Sequence, residues 1–278
     1  MRFTKMHGLG NDFVMVDAFE EKLDEATLPE RARELCDRHF GIGADGLILV
    51  LPSRVANFRM RIFNPDGSEP ESCGNGIRCF ARFVYDRKRT AETTLTVETL
   101  GGVQTLKLNV AGGTVQTVRA DLGEPAFARR LIPMRGPEEG EALNEKVKAD
   151  GARLDVTCLS VGNPHCVTFV DDVERFPVEK LGPQLEHHSL FPRRTNVEFV
   201  QVLNRRELRV RVWERGVGET LACGSGACAS VIAAARTERA DRRATVHLLG
   251  GELQIEWCGD GHVQLTGPAV EVFTGELS

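Results

Sequence analysis

The sequence lacks the features that mark membrane-spanning, secreted and nucleic-acid-binding proteins. No apolar run among its 278 residues approaches the ~20 residues needed to cross a bilayer. Residues 1–8 lack the apolar core of a signal peptide. The formal net charge is −5, so the chain as a whole offers no basic field to nucleic acid. We therefore expect a cytoplasmic protein whose eight cysteines are mostly reduced thiols.

Common cofactor and metal signatures are missing around two of the cysteines, Cys73 and Cys223. The glycine-rich turns that follow them carry neither a G-x-G-x-x-G fingerprint nor a Walker pattern, which argues against a phosphate cradle there. The gaps between Cys73 and Cys79 and between Cys223 and Cys228 do not match the paired knuckles of structural zinc sites. A cytosolic cysteine is usually a small buried hydrophobe. Two alternatives to a catalytic role are therefore open for the cysteines: a buried structural role, or a place in a non-catalytic module that senses redox state or binds metal.

What the sequence does contain is a cysteine motif that occurs twice. Residues 69–76 are Glu-Pro-Glu-Ser-Cys-Gly-Asn-Gly, and residues 219–226 are Glu-Thr-Leu-Ala-Cys-Gly-Ser-Gly. Further matching pairs keep the same order along the chain: Arg61 with Arg211, Glu69 with Glu219, residues 10–12 with 162–164, and residues 96–102 with 245–251. Because several matches share one order and similar spacing, the pattern indicates two homologous halves.

Hydrophobic periodicity predicts an α+β fold. Alternating segments predict mostly strands in each half, with one prominent helix after each cysteine, at about 75–87 and 226–235. A further helix is predicted at 28–40. Residues 128–150 are rich in Pro, Glu and Gly, and we expect an exposed connection there. Each half is therefore expected to be a curled sheet wrapped around the helix that follows its cysteine.

The position of each cysteine suits proton transfer. The first backbone N–H groups of a helix have no intrahelical partner, and the helix dipole adds positive potential there. Such a site stabilises a thiolate or a bound carboxylate. Two facing helix ends would hold one carboxylate while each offers a thiol to the adjacent carbon. Because like charges disfavour each other, we expect one thiolate base and one thiol acid that titrate as a unit.

Several motifs together closely resemble the diaminopimelate epimerase family. The match extends over nearly the whole chain and is carried by residues 5–13 (KMHGLGNDF), 63–68 (FNPDGS), 73–79 (CGNGIRC), 162–166 (GNPHC), 213–216 (WERG) and 222–226 (ACGSG). The resemblance implies interconversion of LL- and meso-2,6-diaminopimelate without a cofactor or metal, serving lysine and peptidoglycan synthesis. It also implies a homodimer with no membrane or nucleic-acid partner.

The resemblance implies a specific architecture as well. The fold would consist of two pseudo-symmetric halves, each a mixed, mostly antiparallel β-barrel-like sheet around a central helix. The first half would comprise residues 1–122 plus 268–278 and carry Cys73, and the second would comprise residues 123–267 and carry Cys223. The active site would lie in the cleft between them.

Functional residues carry over by position. Cys73 and Cys223 match the two catalytic bases, and His165 and Glu214 match residues that tune the thiols. The substrate-binding set would be Asn11, Asn64, Gly74, Asn75, Asn163, Asn196, Glu214, Arg215, Gly224 and Ser225. One departure is Gly46, where some family members carry Gln, so a side-chain contact from that position is not expected here.

The residues alone leave alternatives open. Asn11, Asn64 and Asn163 each adjoin Gly or Pro, so a role in a turn is a competing interpretation. Arg215 beside Glu214 could be a solvated charge pair, although an arginine fork suits a distal carboxylate. For His165, local hydrogen bonding competes with tuning. A proline racemase-like enzyme, which would also use two cysteines, is the nearest functional alternative.

Overall fold

The structure is a computed structural model that describes residues 1–71 and 73–277. Ser72, inside the first cysteine motif, and Ser278, the end of the predicted first half, lie outside the described residues. The chain forms two compact units. Unit 1 comprises Met1–Ala120 and Thr266–Ser278, and unit 2 comprises Asp121–Leu265.

Strands dominate both units. The first seven are β1 (Arg2–Gly8), β2 (Asn11–Asp17), β3 (Gly46–Leu51), β4 (Phe58–Phe63), β5 (Thr94–Thr99), β6 (Gly102–Ala111) and β7 (Thr114–Asp121). The next nine are β8 (Ala142–Ala149), β9 (Ala152–Ser160), β10 (Pro164–Phe169), β11 (Asn196–Asn204), β12 (Glu207–Glu214), β13 (Gly218–Thr220), β14 (Arg243–Leu248), β15 (Gly251–Trp257) and β16 (Val263–Gly267). The last is β17 (Val270–Glu276). The helices are α1 (Leu28–Cys36), α2 (Gly74–Asp86), α3 (Val178–Glu186) and α4 (Gly224–Arg236).

Strand pairing repeats between the units. In unit 1, β1–β2, β3–β4 and β5–β6 are antiparallel, whereas β2–β3 and β4–β5 are parallel. In unit 2 the same alternation runs through β9, β10, β11, β12, β14 and β15. This sequence of pairings confirms the predicted mixed, mostly antiparallel α+β fold.

The helix after each cysteine packs against its own sheet. Helix α2 contacts β1, β2, β3, β4 and β6 and buries Ile77, Phe80 and Val84. Helix α4 contacts β9, β10, β11, β12, β14 and β15 and buries an almost unbroken apolar run that includes Val231 and Ile232. A helix that is apolar on nearly every side is typical of a buried core element. Both central helices were predicted from the sequence.

A matching ion pair precedes each cysteine. Arg61 makes two hydrogen bonds of 2.8 Å to the carboxylate of Glu69. Arg211 makes the equivalent bonds to Glu219, at 2.6 and 2.9 Å. Two-pronged arginine–carboxylate pairs fix geometry as well as charge. The residues that align in the sequence repeat therefore also form the same contact.

Two local predictions require correction, and one helix was missed. Residues 128–150 are not only an exposed connection, because they contain a short 3-10 helix, Arg129–Leu131, and strand β8, which pairs with β9. Helix α1 ends at Cys36, since Asp37 leaves the helical conformation with ψ of 125° and its side chain accepts hydrogen bonds from two following N–H groups. Helix α3 was not predicted, and it contains Pro183, a residue that argues against helix.

In residues 1–71 and 73–277, no helix has the length and apolar character needed to traverse a membrane.

Candidate functional site

Each motif cysteine is the N-cap of its helix. Cys73 has φ of −145° and ψ of 114°, and its Sγ accepts a hydrogen bond from the Gly76 N–H at 3.4 Å. Cys223 has φ of −119° and ψ of 115°, and its Sγ accepts from the Gly226 N–H at the same distance. An extended residue whose side chain accepts from the third helical N–H is an N-cap. The chain thus directs both sulfur atoms toward the positive ends of helices, as predicted.

In unit 1, Cys73 lies beside two of the predicted asparagines, Asn11 and Asn75. Cys73 Sγ donates to Asn11 Oδ1 at 3.8 Å, and Asn75 Nδ2 donates to the same oxygen at 3.2 Å. Asn75 is further held through its Oδ1, which accepts from Arg78 at 2.9 Å. Arg78 is fully buried and also donates to Gly74 O at 2.8 Å. The first helical turn is therefore fixed by a buried guanidinium.

A charged cluster orients Asn11. Asp45 Oδ2 accepts from Asn11 Nδ2 at 2.8 Å, which leaves the Asn11 oxygen facing Cys73. Arg38 bridges Asp45 and Asp12 at 2.7 and 2.8 Å, and Lys5 pairs with Asp12 at 2.6 Å. Burial opposes the charged form of Asp12, but the hydrogen bonds from Arg38 and Lys5 outweigh it and lower its pKa to about 2. The Asn11 side chain is thus tied into a tertiary network, beyond the turn role that its sequence context allowed.

In unit 2, four predicted residues form a continuous hydrogen-bonded chain. Cys223 Sγ lies 3.4 Å from Ser225 Oγ, and Asn163 Nδ2 donates to that hydroxyl at 3.3 Å. His165 Nε2 lies 2.8 Å from Asn163 Oδ1. His165 Nδ1 in turn lies 2.7 Å from Glu198 Oε1. His165 and Glu198 are both 0 % exposed, so the far end of this chain is sealed from water.

The thiol of Cys223 is held neutral by its surroundings. Burial raises the pKa of Cys223 well above its usual range, and the Glu214 carboxylate raises it further. The hydrogen bonds with Ser225 and with the Gly226 N–H oppose that shift without overcoming it. Glu214 is itself fixed, because Thr220 Oγ1 donates to its Oε1 at 2.5 Å. Helix capping therefore does not by itself produce a thiolate at Cys223.

Two predicted residues hold the loop that follows β12. Asn196 is buried, and its Nδ2 donates to Pro164 O at 2.8 Å. Its Oδ1 accepts from the Arg215 backbone N–H at 2.9 Å. The Arg215 guanidinium itself is on the surface, 3.5 Å from Arg193 O. Asn196 therefore acts on the backbone, and the Arg215 side chain extends from a loop that Asn196 anchors.

Asn64 is the predicted site residue whose observed contacts favour the turn interpretation. Its Nδ2 donates to Ser68 Oγ at 2.9 Å and its backbone N–H to Ser68 O at 2.8 Å. Gly67, with φ of 81°, lies within the same turn and donates its N–H to Asn64 O at 2.9 Å. These contacts all stay between residues 64 and 68.

The departure at Gly46 has a steric counterpart. A Cβ on Gly46 would lie 2.9 Å from Phe63 O, closer than real Cβ contacts. Any side chain at this position would require the backbone of β3 or β4 to shift.

Within the described ranges 1–71 and 73–277, no group of three or more His, Cys, Asp or Glu side chains is arranged to hold a metal ion.

Sequence reasoning missed three residues that support the site: Asp45, Arg78 and Glu198. Asp45 lies in a tight glycine loop, where a turn role is the ordinary expectation. Arg78 is a charged residue inside a helix, and nothing in its spacing indicates complete burial. Glu198 had the clearest signal, because it interrupts the apolar run of β11 on the same strand face as Asn196.

Comparison with known proteins gives a consistent result. The family model described as diaminopimelate epimerase matches residues 3–128 and 157–272. A protein of Moorella thermoacetica named diaminopimelate epimerase is 60 % identical over 100 % of this chain and 99 % of its own. Two solved structures show the same fold. A phenazine biosynthesis protein of the PhzF family from Bacillus anthracis has a TM-score of 0.73 at 19 % identity, covering 100 % of this chain and 99 % of that one. A probable proline racemase from Agrobacterium radiobacter has a TM-score of 0.71 at 13 % identity, covering 100 % and 92 %.

Proposed function

Since the chain belongs to the diaminopimelate epimerase family, we propose that it interconverts LL- and meso-2,6-diaminopimelate by transferring one α-proton between Cys73 and Cys223. It is an isomerase of the epimerase class. The observation that carries the mechanism is the duplicated N-cap, in which each thiol accepts from the third N–H of its helix. The product would serve lysine and peptidoglycan-precursor synthesis.

The two cysteines take different roles at rest. Cys223 is buried beside Glu214 with a raised pKa, so we assign it the proton and the role of acid. Cys73 is partly exposed, and we assign it the role of the base. Only its thiol form donates to Asn11 Oδ1, so that hydrogen bond is given up when Cys73 becomes the thiolate. Cys73 removes the α-proton from one face of the carbon while Cys223 delivers a proton to the opposite face. The roles exchange after each turnover, because the pair ends with its proton on Cys73.

The reacting carboxylate is assigned to the helix ends. Backbone N–H groups in the first turn of a helix, together with its dipole, bind anions. We assign this role to the amides of Gly74, Asn75, Gly224 and Ser225. The charge that develops on the carboxylate as the α-proton leaves is stabilised there, in the manner of an oxyanion hole.

The rest of the substrate is assigned to polar side chains. Asn11, Asn163 and Glu214 would contact the substrate near the thiols, and His165 would tune them. Arg215 would hold the distal carboxylate from the loop anchored by Asn196. Asn64 would contribute only after giving up its hydrogen bond to Ser68. This set favours a long, doubly charged substrate over the ring of proline.

The proposal includes the organisation of the molecule. Residues 1–122 plus 268–278 and residues 123–267 would form the catalytic halves, with both cysteines acting on one substrate in the cleft between them. Reduced thiols are required, which fits a cytoplasmic location.

A homodimer is proposed through the exposed apolar side chains of β17, Val270, Val272 and Phe273. Light scattering should give the mass of a dimer for the native chain and of a monomer for Val272→Glu, whose side chain is more exposed than that of Phe273, a ring packed against Phe3. A dimeric variant would contradict that surface.

The decisive experiment is turnover of the purified chain under reducing conditions, without pyridoxal phosphate. We expect LL-diaminopimelate in D2O to gain deuterium at one α-carbon while the meso isomer accumulates, as read by NMR. L-Proline in a parallel sample should keep its α-proton. Turnover of proline, or no reaction with diaminopimelate, would contradict the proposed function. Deuterium at both centres of one molecule early in the reaction, before product is converted back to the symmetric LL isomer, would contradict recognition of the distal end.

A further inference from the structure

The hydrogen-bonding capacity of Asn163 fixes the tautomer of His165. Asn163 Nδ2 donates to Ser225 Oγ, so its Oδ1 faces His165 and can only accept. His165 Nε2, at 2.8 Å from that oxygen, must therefore carry a proton. A neutral ring protonated at Nε2 has an unprotonated Nδ1 that needs a donor. The group that faces Nδ1 is Glu198, at 2.7 Å.

A single proton therefore lies between Glu198 Oε1 and His165 Nδ1. Either Glu198 is a carboxylic acid that donates to a neutral ring, or Glu198 is a carboxylate beside an imidazolium. Glu198 Oε2 is buried without a hydrogen-bond partner among the described residues, which would leave half of a carboxylate unsolvated. Burial raises the pKa of Glu198, His165 opposes the shift, and the Glu214 carboxylate adds to it. These conditions favour the neutral acid.

Glu198 also lies directly beneath the catalytic turn. A Cβ built on Gly226 would be 2.8 Å from Glu198 Oε1 and 3.4 Å from Cys223 Sγ. The carboxyl group and the thiol are thus close neighbours across a glycine. An ionised and unpaired Glu198 would oppose formation of the Cys223 thiolate, whereas a protonated Glu198 adds no negative charge beside it.

The equivalent asparagine in unit 1 is held the other way round. Asp45 accepts from Asn11 Nδ2, so the Asn11 oxygen faces the Cys73 turn and accepts from Asn75. His165 donates to Asn163 Oδ1, so the Asn163 NH2 group faces the Cys223 turn and donates to Ser225. An acceptor behind one asparagine and a donor behind the other determine which end of each amide faces the cysteine.

We propose that Glu198 is a positioning residue of the active site: as a carboxylic acid it donates its proton to His165 Nδ1, keeps His165 Nε2 a donor, and so holds the NH2 group of Asn163 toward Ser225 and the substrate. The link to the substrate rests on the proposed function. The tautomer and the Asn163 orientation stand independently of it. Glu198 acts through His165 and Asn163 and touches no reacting atom.

The first test is the protonation state of His165 in the full chain labelled with 15N-histidine. Long-range 1H–15N spectra at neutral pH should show a neutral ring with the proton on Nε2 and an unprotonated Nδ1. The signals are assigned by their loss in His165→Gln. A neutral ring protonated at Nδ1, or a doubly protonated ring, would overturn the proposal. This measurement needs no activity, so failure of the native chain to turn over diaminopimelate would contradict the proposed function alone.

The second test compares Glu198→Leu with Glu198→Gln. The leucine leaves His165 Nδ1 without a donor and frees Asn163 to rotate, so kcat/KM should fall by about 10- to 100-fold. Removal of residues that orient metal ligands through a hydrogen bond has an effect of this size. The loss should appear in KM, because substrate contacts weaken, whereas partial unfolding would lower kcat alone. The glutamine amide can donate to Nδ1 as the acid does, and it should restore most of kcat/KM.

The matched control is Glu207→Leu, because Glu207 is an exposed glutamate at the start of β12. This variant should leave kcat and KM unchanged. Native kinetics in Glu198→Leu, or loss of activity in Glu198→Gln equal to that in Glu198→Leu, would overturn the positioning role. If the leucine variant does not fold, the glutamine variant decides, with retention of the Nε2–H tautomer expected and its loss counting against the proposal.

Discussion

Cys73 and Cys223 cap their helices identically, yet only Cys223 is buried. Each sulfur accepts from the N–H three residues on at 3.4 Å. Cys73 is partly exposed and contacts Asn11, whereas Cys223 is closed in by Ser225 and lies under the influence of Glu214. A shared backbone geometry thus holds two thiols in unlike environments. That difference suits the proposed pair, in which one sulfur takes a proton from the substrate while the other supplies one.

Replacing either capping cysteine should abolish epimerisation without unfolding the protein. Cys73→Ser and Cys223→Ser should each lower kcat by at least about 1000-fold, because the hydroxyl is a far weaker base than a thiolate. Serine is a good N-cap, so the thermal midpoint should change little. The assay is conversion of LL-diaminopimelate, with Cys258→Ser, another partly exposed cysteine, as the active control. Native turnover in either capping variant would eliminate the mechanism.

Removing the Glu214 carboxylate should make Cys223 easier to ionise. The carboxylate raises the pKa of Cys223, so Glu214→Gln should lower it. The measurement is the pH dependence of alkylation of Cys223 by iodoacetamide, followed by mass spectrometry in a Cys73→Ser background. The midpoint should move to lower pH, whereas Glu207→Gln on the same strand should leave it in place. A midpoint that stays fixed or rises in Glu214→Gln would contradict the assigned role.

Asp12 should contribute stability that disappears in acid. Its pKa falls from an ordinary 3.8 to about 2 in the folded chain, so its contribution is complete above pH 4 and lost as the pH falls toward 2. Asp12→Asn should lower the free energy of unfolding at pH 7 by about 2 kcal/mol. The difference from the native chain should shrink steadily below pH 4 in urea titrations. Asp171→Asn, at an exposed position, is the control and should change stability by less than about 0.5 kcal/mol.

Alanine should be tolerated at one motif glycine and not at another. A Cβ on Gly226 would meet Glu198 Oε1 at 2.8 Å, whereas a Cβ on Gly74 meets nothing within 4 Å. Gly226→Ala should therefore destabilise the protein by about 1–3 kcal/mol, the usual cost of overpacking. Gly74→Ala should be neutral or slightly stabilising, since alanine favours helix. Chemical denaturation measures both variants, and equal stability would show that Glu198 can move away from the helix.

The sequence predicted what depends on local pattern. The duplicated motif predicted a helix beginning after each cysteine. The sequence alignment paired Arg61 with Arg211 and Glu69 with Glu219, but the ion pairs that these residues form were not predicted. Strand β8 was missed because its charged residues alternate with small or buried ones in a polar-looking segment. The sequence did contain one signal, the dipeptide Asp150-Gly151, which is typical of a tight hairpin turn. In the structure these two residues have positive φ values of 48° and 76° and join β8 to β9.

The outer parts of the site could not be predicted in the same way. Asp45 and Glu198 act through Asn11 and His165, which are distant from them in sequence and meet them only through strand pairing. His165 lies opposite Asn196 in the parallel pair β10–β11, and that register brings Glu198 beside the ring. Pairing of parallel strands that a helix separates along the chain, as in β2–β3 and β10–β11, is a tertiary property, which single-sequence periodicity does not encode.

A capping thiol changes strength with its charge. A thiolate accepts a hydrogen bond from a helix N–H and satisfies the helix dipole better than a neutral thiol does. In the proposed reaction each turnover transfers one negative charge from the start of one central helix to the start of the other. The capping hydrogen bond would then be stronger at the helix whose cysteine is the thiolate and weaker at the other. The local stability of each helix start would therefore depend on the step of the reaction. Amide hydrogen exchange at Gly76 and Gly226 averages over many turnovers, so in the resting enzyme it would report which helix end carries the thiolate.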